Sequence, residues 1–118
     1  MAKAKATEAG WTATHRFARI SPRKARLVIN TIRDMDCDEA LDVLRFDSHR
    51  ASGMVADVLK SAMANANEKE AVMSSLYVEA ALVDGGPYYR RWRPKDRGRA
   101  HPIAKRTSHL FIRVAERD

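Results

Sequence analysis

The chain has very little cysteine. Cys37 stands alone among 118 residues, which excludes an internal disulfide and a cysteine-built metal site. Long apolar runs are also missing. The longest strictly apolar stretch is Ala80 to Val83, far short of a membrane span. Met1 to Glu8 alternates Lys and Ala with no apolar stretch after it, so it is not a secretory signal. Aromatics make up only 7% of the chain, yet Tyr88, Tyr89 and Trp92 crowd together. These absences predict a soluble, intracellular protein: a single domain over residues 1–118 with one modest core and a flexible N-terminus at 1–10.

Catalytic groups are scarce as well. His15, His49, His101 and His109 are scattered without metal-ligand spacing. There is no Gly-rich phosphate loop, nucleophile elbow or HExxH motif. Asp36, Asp38 and Asp42 gather at a helix start, where the helix dipole favours acids without any metal. The sequence therefore predicts no enzyme, no cofactor and no metal.

What the chain does have is positive charge in blocks. Its net charge is +7. Residues 1–33 hold eight basic and one acidic residue, 34–87 hold four and eleven, and 88–118 hold ten and three. A charge run is usually a solvated face. Two basic blocks around an acidic middle instead suggest two nucleic-acid-facing surfaces joined by a solvent-facing helical segment. The densest stretch, Gly85 to Arg106, reads GGPYYRRWRPKDRGRAHPIAKR. From Arg90 to Arg106 it has eight Lys/Arg and one acid, Asp96. It shows neither helical nor sustained strand periodicity, so it has no core of its own. A polycation that cannot fold on itself needs a polyanion, and nucleic acid is the obvious one.

The flanking elements follow from local rules. Trp11 to Ile20 suits an edge strand. Ser21-Pro22 starts a helix, with Ser as N-cap and Pro at the first helical position. Ala25, Val28, Ile29 and Ile32 form its apolar face, and Asp34-Met35 ends it, with Asp tolerating a left-handed conformation. Arg23, Lys24 and Arg26 crowd its first turns, where the dipole disfavours cations, which points to a phosphate partner. Asp36 and Glu39 resemble a capping box for a second helix, Asp38 to Phe46. Asp47 or Ser48 caps a third, to Asn67, with core rows Met54, Val58, Ala62, Ala66 and Val55, Leu59, Met63. Leu76 to Asp84 and Ser108 to Glu116 read as antiparallel strands of a hairpin that encloses 85–106. Leu76, Val78, Ala80 and Leu82 would share one face, and Leu110, Ile112 and Val114 the other strand's inner face. A constant register, with Leu76 near Ala115 and Val83 near Ser108, puts the turn between Lys95 and Asp96. Pro94-Lys95-Asp96-Arg97-Gly98 supplies the turn residues. The arm would then stand roughly 30 Å beyond the sheet.

Four stretches in order resemble one family. They are Ser21-Pro-Arg-Lys-Ala-Arg-Leu-Val28, Leu59-Lys-Ser-Ala-Met-Ala-Asn-Ala66, Gly86-Pro87 with its basic run, and Lys105-Arg-Thr-Ser-His109. Together they resemble the bacterial-type ribosomal protein L-twenty-two family over about residues 13–115. The resemblance implies an α+β fold: three helices on a three-stranded antiparallel sheet, with a long protruding β-hairpin. It implies a cytoplasmic constituent of the large ribosomal subunit that binds ribosomal RNA, touches neighbouring ribosomal proteins and aids assembly. The hairpin tip would line the nascent-peptide tunnel through Arg90, Arg91, Trp92, Arg93, Pro94, Lys95, Asp96, Arg97, Gly98 and Arg99. The RNA-binding residues expected are Arg16, Arg19, Ser21, Arg23, Lys24, Arg26, Lys60, Tyr88, Tyr89, Arg90, Arg91, Trp92, Arg93, Lys95, Arg97, Arg99, His101, Lys105, Arg106, Thr107, Ser108 and His109. The chain departs from the family pattern at Asp34-Met35, in its three clustered aromatics, at Asp96 and at His101-Pro102. Charge alone also fits a free-standing RNA-binding regulator or RNA chaperone, and the acidic helices fit a partner-binding scaffold.

Overall fold

The computed structural model describes residues 10–95 and 98–117. In chain order these form β1 (Gly10–Ala18), α1 (Pro22–Ile29), α2 (Cys37–Phe46), α3 (Ala51–Glu68), a 3-10 turn (Met73–Ser75), β2 (Leu76–Lys95) and β3 (Arg99–Glu116). The sheet is antiparallel in the order β1-β3-β2, so β1 is the expected edge strand. The three helices and the sheet enclose one core, built on Ile29, Ile32, Val55, Leu59, Leu76, Val78, Leu110, Ile112 and Val114, all fully buried. The expected loose N-terminus lies outside the described residues except for Gly10, which opens β1.

Ser21 caps α1 as its sequence demands. Its Oγ accepts from the Lys24 N–H at 3.3 Å, and Pro22 takes the first helical position. Such a cap contributes about 1 kcal/mol. The helix ends at Ile29, a turn earlier than periodicity suggests. Backbone bonds to β2 win over a further helical turn. Asp34 adopts φ 64°, its N–H donates to Val78 O at 3.0 Å, and Met35 O accepts from the Val78 N–H at 2.9 Å. Ile32 reaches the core from this loop.

Two expected caps do not form. Asp36 precedes α2 but makes no side-chain cap bond; its carboxylate lies 3.6 Å from Arg117. Neither Asp47 nor Ser48 caps α3, which begins at Ala51. Asp47 Oδ1 instead accepts from the His49 N–H at 2.9 Å. The core rows of α3 are as expected, with Val55, Val58, Leu59, Ala62 and Ala66 buried.

The register of β2 against β3 corrects the constant one. Val78 faces Val114, but Ala80 already faces Arg113, so Glu79 is an extra residue in a β-bulge. One extra residue turns every later side chain to the opposite face. Ala81 and Val83 are therefore buried, while Leu82 is 49% exposed. Glu79 Oε1 accepts from Arg113 Nε at 2.5 Å across the bulge. A second bulge follows between Gly85 and Tyr88, and the last described pair is Lys95 with Arg99. Leu76 thus faces Glu116, and Val83 faces Leu110. Pro94 and Lys95 are still ladder residues rather than turn residues, and Gly98 takes φ 73°. The expected turn residues Asp96 and Arg97 lie outside the described residues.

Beyond Tyr88 and Arg106 the two strands pair only with each other. The molecule measures 63 × 31 × 24 Å, with the arm along its long axis. An isolated two-stranded ribbon is marginal in water. In the free protein, amide exchange should therefore be fast over 88–95 and 99–106, and slow over 110–114. Slow exchange along the whole arm would show that it holds itself together.

Cys37, at the start of α2, is buried. Burial raises its thiol pKa from 9.0 to about 12, and the nearby Asp38 and Asp36 carboxylates add to the shift. Both states hold the proton below pH 9, so the contribution is constant there. Above pH 9 the unfolded chain releases the proton first and is favoured. Stability should then fall by up to roughly 1.4 kcal/mol per pH unit from this group. Urea unfolding of the parent and of Cys37→Ala between about pH 8 and pH 11 isolates that slope. Parallel curves would rule it out.

Candidate nucleic-acid interface

The arm leaves the sheet at a tightly built root. A Cβ at Gly86 would lie 2.6 Å from Thr107 Oγ1 and 3.2 Å from His109 Nε2, so only glycine fits there. Thr107 Oγ1 donates to Pro87 O, closing the second bulge. Ser108 Oγ donates to Ile20 O at 2.6 Å. His109 Nδ1 accepts from the Phe17 N–H at 3.1 Å, and the two rings meet edge-on with centroids 4.9 Å apart. Thr107 and Ser108 were expected to contact RNA. Both are buried, with their hydroxyls bonded to backbone carbonyls, so they hold the root and present no surface.

Beside this root lies a cleft of about 640 Å³. Arg19, Lys24, Arg50, Arg91, Lys105 and Arg106 line it, with Ser21 and Tyr89, and no carboxylate does. Each strand of the arm supplies cations at paired positions, Tyr89 with Lys105 and Tyr88 with Arg106. The loop between β1 and α1 supplies Arg19, and the first turn of α1 supplies Lys24. None of these six cations has an ion-pair partner among the described residues. A second cleft of about 670 Å³ adjoins it and shares Lys24 and Arg106, adding Arg23, Arg26 and the exposed Leu27. Such a one-sign concavity focuses a strong positive potential.

Arg50 was not among the expected residues. It stands just before α3 in a mixed-charge stretch, and only the packing of α3 against the arm root brings it to the cleft. Conversely, Arg16 and Lys60 are exposed but lie elsewhere. Arg16 borders the outer face of the sheet with Leu82, Asp84 and Phe111, and Lys60 borders a groove between α2 and α3. Arg26 has an internal duty. Its Nε and Nη2 donate to Val83 O at 3.3 and 2.9 Å. Ser21 is committed to capping α1.

Along the arm, Tyr88, Tyr89 and Trp92 are 48%, 46% and 66% exposed. Arg106 lies over the Tyr88 ring at 5.7 Å and Arg91 over Tyr89 at 5.6 Å. Arg90 is exposed. Arg93 pairs with His101 and Lys95 with Arg99 in the ladder, while Arg97 falls outside the described residues. No three His, Cys, Asp or Glu side chains come together as a metal site among the described residues.

Comparison with known proteins matches the same region. The family model for ribosomal protein L22p/L17e covers residues 13–115. Large ribosomal subunit protein uL22 of Thermoanaerobacter sp. (strain X514) is 52% identical over 104 residues, covering 87% of this chain and 94% of the relative. The uL22 of Rubrobacter xylanophilus is 50% identical, covering 86% of this chain and 81% of that one. The uL22 of Thermus thermophilus is 48% identical, covering 86% and 91%. The fold, the basic arm and these matches agree, and the chain belongs to the ribosomal protein L22p/L17e family.

Proposed function

We propose that the protein is a structural constituent of the large ribosomal subunit in the cytoplasm. It binds large-subunit ribosomal RNA through the arm and its root, meets neighbouring ribosomal proteins, and aids assembly. The observation that carries this reading is the arm-root cleft, where six cations converge without one carboxylate. Holding like charges together is unfavourable unless a polyanion neutralises them. Phosphates would be met by Arg19, Arg23, Lys24, Arg50, Arg91, Lys105 and Arg106. The exposed rings of Tyr88, Tyr89 and Trp92 suit stacking on unpaired bases. No step of bond-making is assigned to any residue. The distal arm, Arg90 to Arg99, lines the nascent-peptide tunnel in this reading, and the nascent chain is a passing partner.

Sedimentation tests the assignment against a free-standing regulator. The protein should travel with large subunits at high and low magnesium and stay there through a moderate salt wash. Recovery at the top of the gradient would refute it. RNA binding should also be salt-sensitive. If about five phosphates are engaged, affinity for a large-subunit RNA fragment should fall by roughly two to three decades between about 50 and 200 mM salt. A flat dependence would contradict a phosphate-dominated interface. Arg23→Glu is a cleaner probe than Arg26→Glu, because reversing Arg26 also removes its bond to Val83 O. Arg23→Glu should weaken binding and leave the unfolding midpoint within error.

Deletion of Tyr89 to Arg91 tests the tunnel role. Ribosomes with the deletion should assemble, but drug access or nascent-chain passage should change. If both match the parent, the arm does not line the tunnel.

A further inference from the structure

We propose that the groove between α2 and the start of α3 is a second phosphate site for the RNA backbone, continuous with the arm-root cleft. This rests on the RNA-binding reading above. The groove holds about 370 Å³ and is flanked by Arg45 from α2 and Lys60 from α3. Neither cation has an ion-pair partner among the described residues. The first turn of α3 opens onto it with no side-chain cap and no acid. A helix start so arranged favours an anion.

Two further features point to a ligand. Ser52 lines the groove and is only 3% exposed, yet its hydroxyl has no hydrogen-bond partner. A buried hydroxyl left so is costly. It lies close enough to Asp47 to favour the ionised carboxylate slightly, but makes no hydrogen bond to it. The second feature is Gly53. It sits in the first turn of the chain's longest helix, with φ in the ordinary range, and a Cβ there would meet nothing within 4 Å. Glycine weakens a helix, and nothing in this chain requires it at that point. Close approach of a ligand to the backbone does.

Asp47 is the one acid in the groove. Its carboxyl is held below the usual range, first by the His49 N–H and then by the His49 ring. Its Oδ1 is thus turned to His49 and leaves Arg45 and Lys60 to a ligand. Continuity identifies the occupant. Arg50 lines the arm-root cleft, while His49 and Ser52 on either side of it line the groove. The two clefts meet across the start of α3, so a phosphate backbone leaving one enters the other. Lys60, remote from the arm, then belongs to the same track.

The test uses the full chain and protein-free large-subunit ribosomal RNA as probe. Ser52→Ala and Gly53→Ala should keep or raise the thermal midpoint, because one removes an unpaired hydroxyl and the other a helix-weakening glycine. Both should nonetheless weaken RNA binding, by roughly three- to tenfold. Arg45→Ala with Lys60→Ala should lower the slope of log affinity against log salt by about one to two. If all these variants bind as the parent does, while Arg91→Ala with Lys105→Ala weakens binding, the groove is not a phosphate site and the RNA-binding reading stands. If the parent itself does not bind the RNA, both fall.

Discussion

The architecture depends on the asymmetric pairing of β3. From Ser108 to Ala115 this strand is hydrogen-bonded to β1 on one side and β2 on the other; from Arg99 to Arg106 it has β2 alone. The inner half carries Leu110, Ile112 and Val114 into the core. The outer half has no such layer. One continuous ladder therefore joins a segment stabilised by apolar burial to one that has only backbone bonds and charge. The root must transmit orientation between them. Gly86, Thr107 and Ser108 do so with close contact and two hydroxyl-to-carbonyl bonds.

The outer edge of β2 raises a different problem, because an unpaired edge invites another strand. Arginines cover it here. Arg33 Nε and Nη2 donate to Ala81 O at 3.0 and 2.8 Å, and Arg26 reaches Val83 O in the same way. The loop at Asp34-Met35 pairs with Val78. Hydrogen bonds from charged donors to neutral carbonyls contribute roughly 1.5–3 kcal/mol each at most, less where water competes. Cations near the start of α1 thus have two uses. Arg26 closes the edge, whereas Arg23 and Lys24 remain exposed and unpaired among the described residues.

Much of the fold was legible wherever a local rule governs a local outcome. Ser21-Pro22 starts α1, the α3 rows face the core, and Leu110, Ile112 and Val114 point inward. The failures share a cause. A bulge is a relation between strands, so Glu79 cannot be seen as an extra residue until Val78 and Ala80 find partners on β3. Once it is missed, Leu82 and Val83 exchange faces. The unformed caps at Asp36 and Asp47 are similar: each carboxylate found a competing partner, Arg117 or His49. At the site, charge density located the arm. It could not find Arg50, which the tertiary packing alone carries to the cleft, nor show that Thr107 and Ser108 are spent on the root.

The aromatic residues of the arm show why a polyanion suits it. Tyr88 and Tyr89 each carry an arginine over the ring at more than 5 Å, in the open. Exposed cation–π pairs contribute about 0.5–1 kcal/mol. Stacking a base on such a ring contributes about 1–3 kcal/mol, and the displaced guanidinium is then free to meet a phosphate. Replacing the internal pair by two external contacts is therefore favourable at each position. Ordering the ribbon costs on the order of 1–2 kcal/mol per residue, which its own contacts do not offset. RNA supplies both missing partners, a π face for the ring and a charge for the guanidinium. The clustered aromatics and arginines thus form one device, in which each residue type holds the other's place until the nucleic acid arrives.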